Sequence, residues 1–389
     1  MYRIDTDDAS ITPPAIPAEG TKKYFQDTES AGGTKVPAWW LQGFDSEMEN
    51  VIVGAGNTPS KADNTQILTA INQLIATAGM SATNPNYLYN SGLLVDIEGN
   101  AAGVTNNNEY AVEAWELSCT TNSRVTVSRD TSVTPTTSGY SYKIDVTSTQ
   151  TPATTDHFSI IHRLEGNDVS DLKIGNATDS KTVTFSIKVR SSLIGKYCVY
   201  LQNSAANRSY VFEIEILVAD TWETKTKTIN LDTAGTWLID NGVGIKMGIT
   251  FASGTTYDGT ADTWTASDIR ATTNQVNLLA STSHDFYFAE PKLEEGLVAT
   301  KWELPNYAAE LNNMNRFFAI IQGMYLLSAI SGQNPSWMFP NSMRIAPTIT
   351  VLLGGGSGAT FSAGVAGAYQ NVNNSVDTAC NLQLDSRLL

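Results

Sequence analysis

Along the centre of the chain, apolar and polar residues alternate with a period of two. Tyr142, Ile144 and Val146 alternate with polar neighbours, as do Val183, Phe185, Ile187 and Val189. Phe212, Ile214, Ile216 and Val218 alternate with Val211, Glu213, Glu215 and Leu217. Ile245, Met247, Ile249 and Phe251 repeat the pattern, followed by Phe286 and Phe288. Successive side chains of a strand point to opposite faces, so this alternation predicts half-buried antiparallel strands. The branched and aromatic residues that fill these runs suit a pleated surface. Many short strands separated by Gly, Asn and Asp turns across residues 111–303 predict a β-sandwich of the jelly-roll type.

Residues 1–80 carry a different period. Thr12-Pro-Pro-Ala-Ile-Pro opens them as extended chain, because such a run cannot be helical. Over residues 37–53, Trp40, Leu41, Phe44, Met48, Val51 and Ile52 recur at spacings of three and four, which makes one helical face. Pro37 suits the first turn of that helix, and Gly54-Ala-Gly-Asn-Thr-Pro59 ends it. A second helix, capped by Asp63 or Asn64, carries the stripe Ile67, Leu68, Ile71, Leu74 and Ile75. Two helices this short must cover their stripes on each other, on other subunits or on a partner. Residues 81–110, rich in Asn, Gly and Ala, read as a linker with one strand at 93–97. Residues 304–389 read as a short helix at 306–316 and then a small β domain, with tight turns in Gly354-Gly-Gly-Ser-Gly-Ala. The fold class expected is mainly β, with a short helical N-terminal region.

Composition narrows the function. The 389 residues are 41% hydrophobic and only 16% charged, which is globular composition with an uncharged polar surface. Lys and Arg number 24 against 39 Asp and Glu, a net charge of -15. That balance argues against binding nucleic acid through phosphates or an anionic membrane through a basic patch. The first ten residues are acidic and lack the apolar centre of a secretory signal. The longest apolar stretch, residues 317–330, is broken by Gln322 and Gly323, so no membrane insertion is expected. Cys119, Cys198 and Cys380 lie far apart without a CxxC, which predicts buried free thiols in a chain made in a reducing cytoplasm.

The candidate chemistry is sparse. His157 and His162 are an odd number apart, so on one strand they face opposite sides and cannot share a metal. There is no HExxH, no GxSxG and no P-loop. Glu294 and Glu295 are adjacent and point apart on a strand, which is poor geometry for a glycosidase pair; Glu294 is expected to be held by a backbone or Arg partner. Asp168 and Asp171 sit in an oxygen-rich turn, where such residues usually bond their own backbone. No catalytic group, metal or cofactor is expected. Sugar rings stack on exposed aromatics, so Tyr257, Trp264, Trp337 and Tyr369, all in expected loops, are the candidate receptor contacts.

Three stretches resemble phage tail-fibre and tail-spike proteins. The first is Thr34-Lys-Val-Pro-Ala-Trp-Trp-Leu-Gln-Gly-Phe, continuing to Thr58-Pro-Ser-Lys-Ala-Asp-Asn-Thr-Gln66. It resembles the N-terminal segment of many such fibres, a tryptophan-containing helix followed by a TP-x-x-ADNTQ turn. The second is Lys292-Leu-Glu-Glu-Gly-Leu-Val-Ala-Thr-Lys-Trp-Glu303, similar to the LE-x-G-x-x-AT-x-x-E ending of a carbohydrate-binding-module-like sandwich. The third is Glu310-Leu-Asn-Asn-Met-Asn-Arg-Phe-Phe318 with Phe339-Pro-Asn-Ser-Met-Arg-Ile-Ala-Pro-Thr-Ile-Thr350. There Met314 stands where the family has Cys, and Phe317 and Phe318 where it has tyrosines.

The resemblance implies an elongated homotrimer in the virion. Its N-terminus would attach to the phage tail or an adaptor, and its distal β domains would bind host surface polysaccharide or lipopolysaccharide. Trp39, Trp40, Phe44, Met48, Ile67 and Ile71 would form the attachment or oligomer interface. Glu294, Arg316 and Arg344 would make structural bonds between strands or subunits. The rival readings are a depolymerase or esterase tail spike, which needs a carboxylate pair or triad, and a purely structural adaptor or head fibre. Because the chain is acidic, a patch that meets an acidic glycan is expected where carboxylates are fewest.

Overall fold

The computed structural model describes residues 38–60, 63–81, 85–135, 137, 139–326, 336–339, 341–353, 361–370 and 378–387. The chain forms two compact units, residues 1–83 and 84–389.

In the first unit, α1 (Ala38–Gly54) and α2 (Gln66–Ser81) match the two helices expected from spacing. The turn between them is laced by side chains. Asp63 Oδ1 accepts from the Thr65 backbone at 2.7 Å and from its hydroxyl at 2.6 Å. Gln66 bonds back to the Ser60 N–H at 2.6 Å and donates to the carbonyls of Ser60 and Asp63. The ADNTQ turn therefore sets the entry to α2 through local bonds. Ile52 and Ala70 are buried, and Met48 and Ile67 are half-buried. Phe44, Leu68, Ile71, Leu74 and Ile75 remain exposed. The side chains of Trp39 and Trp40 lie outside the described residues.

The second unit is mainly β, and its centre is the sandwich predicted by the alternation. One sheet runs in the order β1 (Glu109–Val112), β2 (Trp115–Cys119), β5 (His157–Glu165), β10 (Val243–Ser253), β7 (Gly195–Gln202), β8 (Ser209–Ile216) and β11 (Trp264–Thr265). The other runs β3 (Val125–Asp130), β4 (Ser141–Val146), β12 (Asp285–Glu295), β6 (Thr182–Ser191) and β9 (Glu223–Asn230). The chain crosses repeatedly between the sheets, as a jelly roll does, and these strands pair with one another antiparallel throughout. Trp115, Phe158, Phe185, Phe212, Phe251, Phe286 and Phe288 fill the space between them. β8 stops at Ile216; Leu217 and Val218 leave the sheet and are exposed, so the alternation overran the strand by two residues.

Residues 85–110 differ from the linker expected. They pack on the sandwich, with Leu88, Leu93 and Val95 buried, and residues 93–97 form no strand. Asparagine side chains replace the missing ladder. Buried Asn90 donates to the carbonyls of Val95 and Glu113 at 2.9 Å and accepts from Val95 at 3.0 Å. Asn86 bridges Pro291 and Leu293 across the bulge in β12, each at 3.0 Å. Composition alone reads such a segment as a loop, although each Asn meets a buried backbone group.

The LE-x-G ending has a clear structural role. Glu294 is fully buried and accepts from the Thr300 N–H at 2.7 Å and its hydroxyl at 2.5 Å. Buried Lys292 completes the cluster, 3.2 Å from Glu294 and donating to the Lys301 carbonyl at 3.1 Å. The backbone partner expected for Glu294 is the Thr300 N–H, and its charged partner is Lys292, not Arg. Glu295 points to the opposite, exposed side.

After the sandwich, Asn306 caps α4 (Tyr307–Met314) by accepting from Ala308 and Ala309. Two small sheets follow: β13 (Phe318–Leu326), β18 (Thr378–Asp385) and β15 (Thr348–Leu353); and β14 (Ser336–Met338), β17 (Gly367–Gln370) and β16 (Phe361–Ala363). Met314 and Phe317 pack with Val95 and Val243, which joins this part to the sandwich. The short helix α3 (Gly166–Val169) lies at the same end. Arg316 pairs there with Glu165 at 3.0 Å, and Arg344 donates to the carbonyls of Ser386, at 3.0 Å, and Asn241.

Candidate functional site

The seven-stranded sheet packs one face on the core and turns the polar half of its alternation outward. Strand order brings residues that are remote in sequence into rows on this outer face. Lys246 pairs across the strands with Arg163 on one side and Gln202 on the other. The next row reads Glu116, Ile161, Gly248, Tyr200 and Val211. The row after it reads Ser118, Ser159, Thr250, Cys198 and Glu213.

Residues 267–272 cross over part of this face. Ile269 N–H donates to Ser209 Oγ at 2.9 Å, Thr250 Oγ1 donates to the Arg270 carbonyl at 2.8 Å, and Thr272 N–H meets Cys198 Sγ at 3.3 Å. Ile269 and Ala271 then bury Ile161, Cys198, Tyr200 and Val211 in a second small core. Burial pushes the Cys198 thiol up to about 11, so it stays protonated and unreactive at neutral pH.

Beside that core lies a ring of polar groups. Arg270 forms a two-pronged pair with Asp268, both bonds 2.8 Å, and stacks on Tyr257 with 4.5 Å to the ring centroid. Tyr257 meets His157 edge-on at 5.6 Å. His157 Nε2 and Ser118 Oγ share a hydrogen bond of 3.2 Å. Gln202, fully buried, donates to Asp268 at 2.6 Å. Arg163 engages both carboxylate oxygens of Glu116.

Three groups in the ring stay unsatisfied among the described residues. His157 Nδ1 and Gln202 Oε1 are buried without a hydrogen-bond partner. Lys246 is half-buried and makes no hydrogen bond or ion pair. Burial and the neighbouring Arg270 push the His157 imidazole down to about 4, so it is neutral at pH 7. Burial, with Arg270 and Arg163 close by, brings the Lys246 ammonium down to about 8. Buried polar groups normally find partners, and His157 Nδ1, Gln202 Oε1 and Lys246 lie together on this outer face without one.

Of the four aromatic candidates, Tyr257 belongs to this ring. Trp264 does not: it packs between Tyr210 at 5.2 Å and Trp237 at 5.5 Å, with its Nε1 donating to the Asn230 carbonyl at 2.8 Å. Trp337 and Tyr369 lie at neighbouring positions on paired strands β14 and β17, with side chains outside the described residues. His162 is on the core side of β5, fully buried, and Glu294, Arg316 and Arg344 are in the bonds already described. Asp168 and Asp171 accept from the hydroxyls of Tyr89 and Tyr87, at 2.5 and 2.6 Å. Among the described residues, no cluster of three or more His, Cys, Asp or Glu side chains is placed to hold a metal. Arg163, Gln202, Lys246, Asp268 and Arg270 were not singled out in the sequence. The one local signal is at Lys246, a polar position between Ile245 and Met247 in a predicted strand.

No family model and no curated protein matches the chain. Among solved structures, the enzymatically active domain of tailspike protein 4 of bacteriophage CBA120 is similar over 53% of this chain and 22% of that one, with 8% identity and a TM-score of 0.27. The carbohydrate-binding module TmCBM61, solved with β-1,4-galactotriose, is similar over 55% of this chain and 99% of the module, with 13% identity and a TM-score of 0.28. The family 11 carbohydrate-binding module of the cellulase Lic26A-Cel5E of Clostridium thermocellum covers 51% of this chain and 96% of its own length, with 12% identity and a TM-score of 0.26.

Proposed function

We propose that this chain is a phage receptor-binding protein of the tail-fibre kind, which binds a host surface glycan on the outer face of its seven-stranded sheet. One observation carries the glycan reading: Tyr257, stacked on Arg270, meets His157, whose Nδ1 is one of two polar atoms of the ring buried without a partner, the other being Gln202 Oε1. Sugars offer hydroxyls that both donate and accept for such atoms, and a C–H face for an aromatic ring. The tail-fibre part rests on the three resembling stretches, two of which have clear structural work in the turn before α2 and in the Glu294–Thr300 clasp. Exposed Phe44, Leu68, Ile71 and Ile75 support trimer formation or tail attachment through the helices, since apolar patches of this kind seek cover. In this reading the protein acts in the virion after synthesis in the host cytoplasm.

The proposal is for a binding protein, not a hydrolase. Glu116 and Asp268, the carboxylates of the ring, are each engaged by an arginine. A glycosidase needs one carboxyl free to give up a proton. Incubation with host polysaccharide should release no new reducing ends.

The test uses the full chain. Light scattering should give the mass of a trimer; a monomer would overturn the fibre part. Tyr257→Ala should weaken adsorption to host cells by about tenfold, the scale of one lost stacking contact. Trp264→Ala should leave adsorption unchanged. Equal adsorption by wild type and Tyr257→Ala would remove the site from this face.

A further inference from the structure

We propose that the glycan bound here is acidic, and that its carboxylate or phosphate substituent is taken by Lys246. This rests on the glycan reading of the outer face. The ring holds three cations, Arg163, Lys246 and Arg270, against two carboxylates. Each carboxylate is already engaged by an arginine: Glu116 by Arg163 and Asp268 by Arg270. Lys246 is the cation left over. It stands in register between Arg163 and Gln202, and Gln202 holds Asp268 in place, so a fixed frame surrounds the ammonium.

Glu116 and Asp268 draw on this half-buried ammonium, but each is tied to an arginine, and burial with Arg163 and Arg270 nearby outweighs them, so the charge is poorly compensated. Desolvating a charge costs free energy unless a partner is present, and like charges nearby add to the cost. An incoming anion removes both penalties and gains charge-assisted hydrogen bonds. Within the ring three cations stand against two carboxylates, while the chain as a whole, at a net charge of -15, repels acidic polymers.

The experiment is a printed panel of bacterial capsule and O-chain glycans. Each is spotted untreated, after carboxyl reduction, and after dephosphorylation with hydrofluoric acid. The full-length protein should bind acidic members. Carboxyl reduction alone should abolish binding if the substituent is a carboxylate, and dephosphorylation alone if it is a phosphate. Lys246→Gln should lower binding to the acidic glycans about tenfold and flatten its salt dependence. Tyr257→Ala should weaken binding to every ligand. If Lys246→Gln binds acidic and treated glycans as wild type does while Tyr257→Ala still loses them, the anion proposal falls and the glycan reading stands. If wild type binds no member of the panel, both fall. Removing an unpaired cation should leave the thermal midpoint of Lys246→Gln at or above that of wild type, which separates a binding defect from misfolding.

Discussion

The ring of Tyr200 lies directly against Gly248, its paired neighbour across β7 and β10: a Cβ built on that glycine would stand 2.3 Å from the ring. Tyr200 is fully buried, and its ring is part of the small core that residues 267–272 close from above. Tyr200 can hold that position only because Gly248 has no side chain.

Gly248→Ala should force Tyr200 out of place and cost about 1–3 kcal/mol, as overpacking usually does. The same change in a Tyr200→Ala background should cost much less. Urea unfolding of the four proteins of this cycle measures the coupling. Additive effects would mean that the two residues do not constrain each other.

Glu294→Ala should destabilise the sandwich by about 3–5 kcal/mol, because it strands the ammonium of Lys292, which is only 2% exposed, and frees Thr300. Lys292→Met combined with Glu294→Gln should recover part of that loss by removing the stranded charge. Denaturation followed by tryptophan fluorescence reports both. An unchanged midpoint in Glu294→Ala would deny the clasp its role.

Acid should loosen the fold through His162. Its ring lies 4.5 Å from Trp115, and Nε2 accepts the Tyr89 N–H at 3.2 Å. Burial pushes its pKa down to about 3. The unfolded chain takes up a proton near 6.5 that the folded chain refuses until far lower pH. Stability from this group is therefore complete above 6.5 and falls as pH drops toward 3, by about 1.4 kcal/mol per pH unit. His162→Gln keeps an acceptor and cannot take the proton, so its melting temperature should decline less steeply over that window. Parallel curves would place the acid sensitivity elsewhere.

Arg387 ties the C-terminal strands to the sandwich. It pairs with Glu98 at 2.8 Å and Asp385 at 2.7 Å, and it stacks on both Tyr110 and Phe318 at 4.3 Å. Arg387→Lys keeps the charge and gives up the planar stack and fork. Hydrogen exchange should quicken in β1 and β18 and stay unchanged in β10. Equal protection in β18 before and after the change would rule this clamp out.

Much of this protein follows from local pattern. Period-two runs such as Val183, Phe185, Ile187 and Val189 became strands because a pleated chain has to put alternate residues inside. The 3.6-residue stripes became α1 and α2, and Asn306 became a cap, since each depends only on neighbours within a turn. The tertiary structure decided what lies beside what. Arg163, Gln202 and Lys246 sit on β5, β7 and β10, and each by itself is an ordinary polar position. Strand order puts β10 between the other two, and only then do they form one row. Periodicity sets which face a residue takes; the partner across that face depends on non-local pairing, to which the local pattern is blind. The same holds for Asn86 and Asn90, read as loop residues until the backbone groups they satisfy came into view.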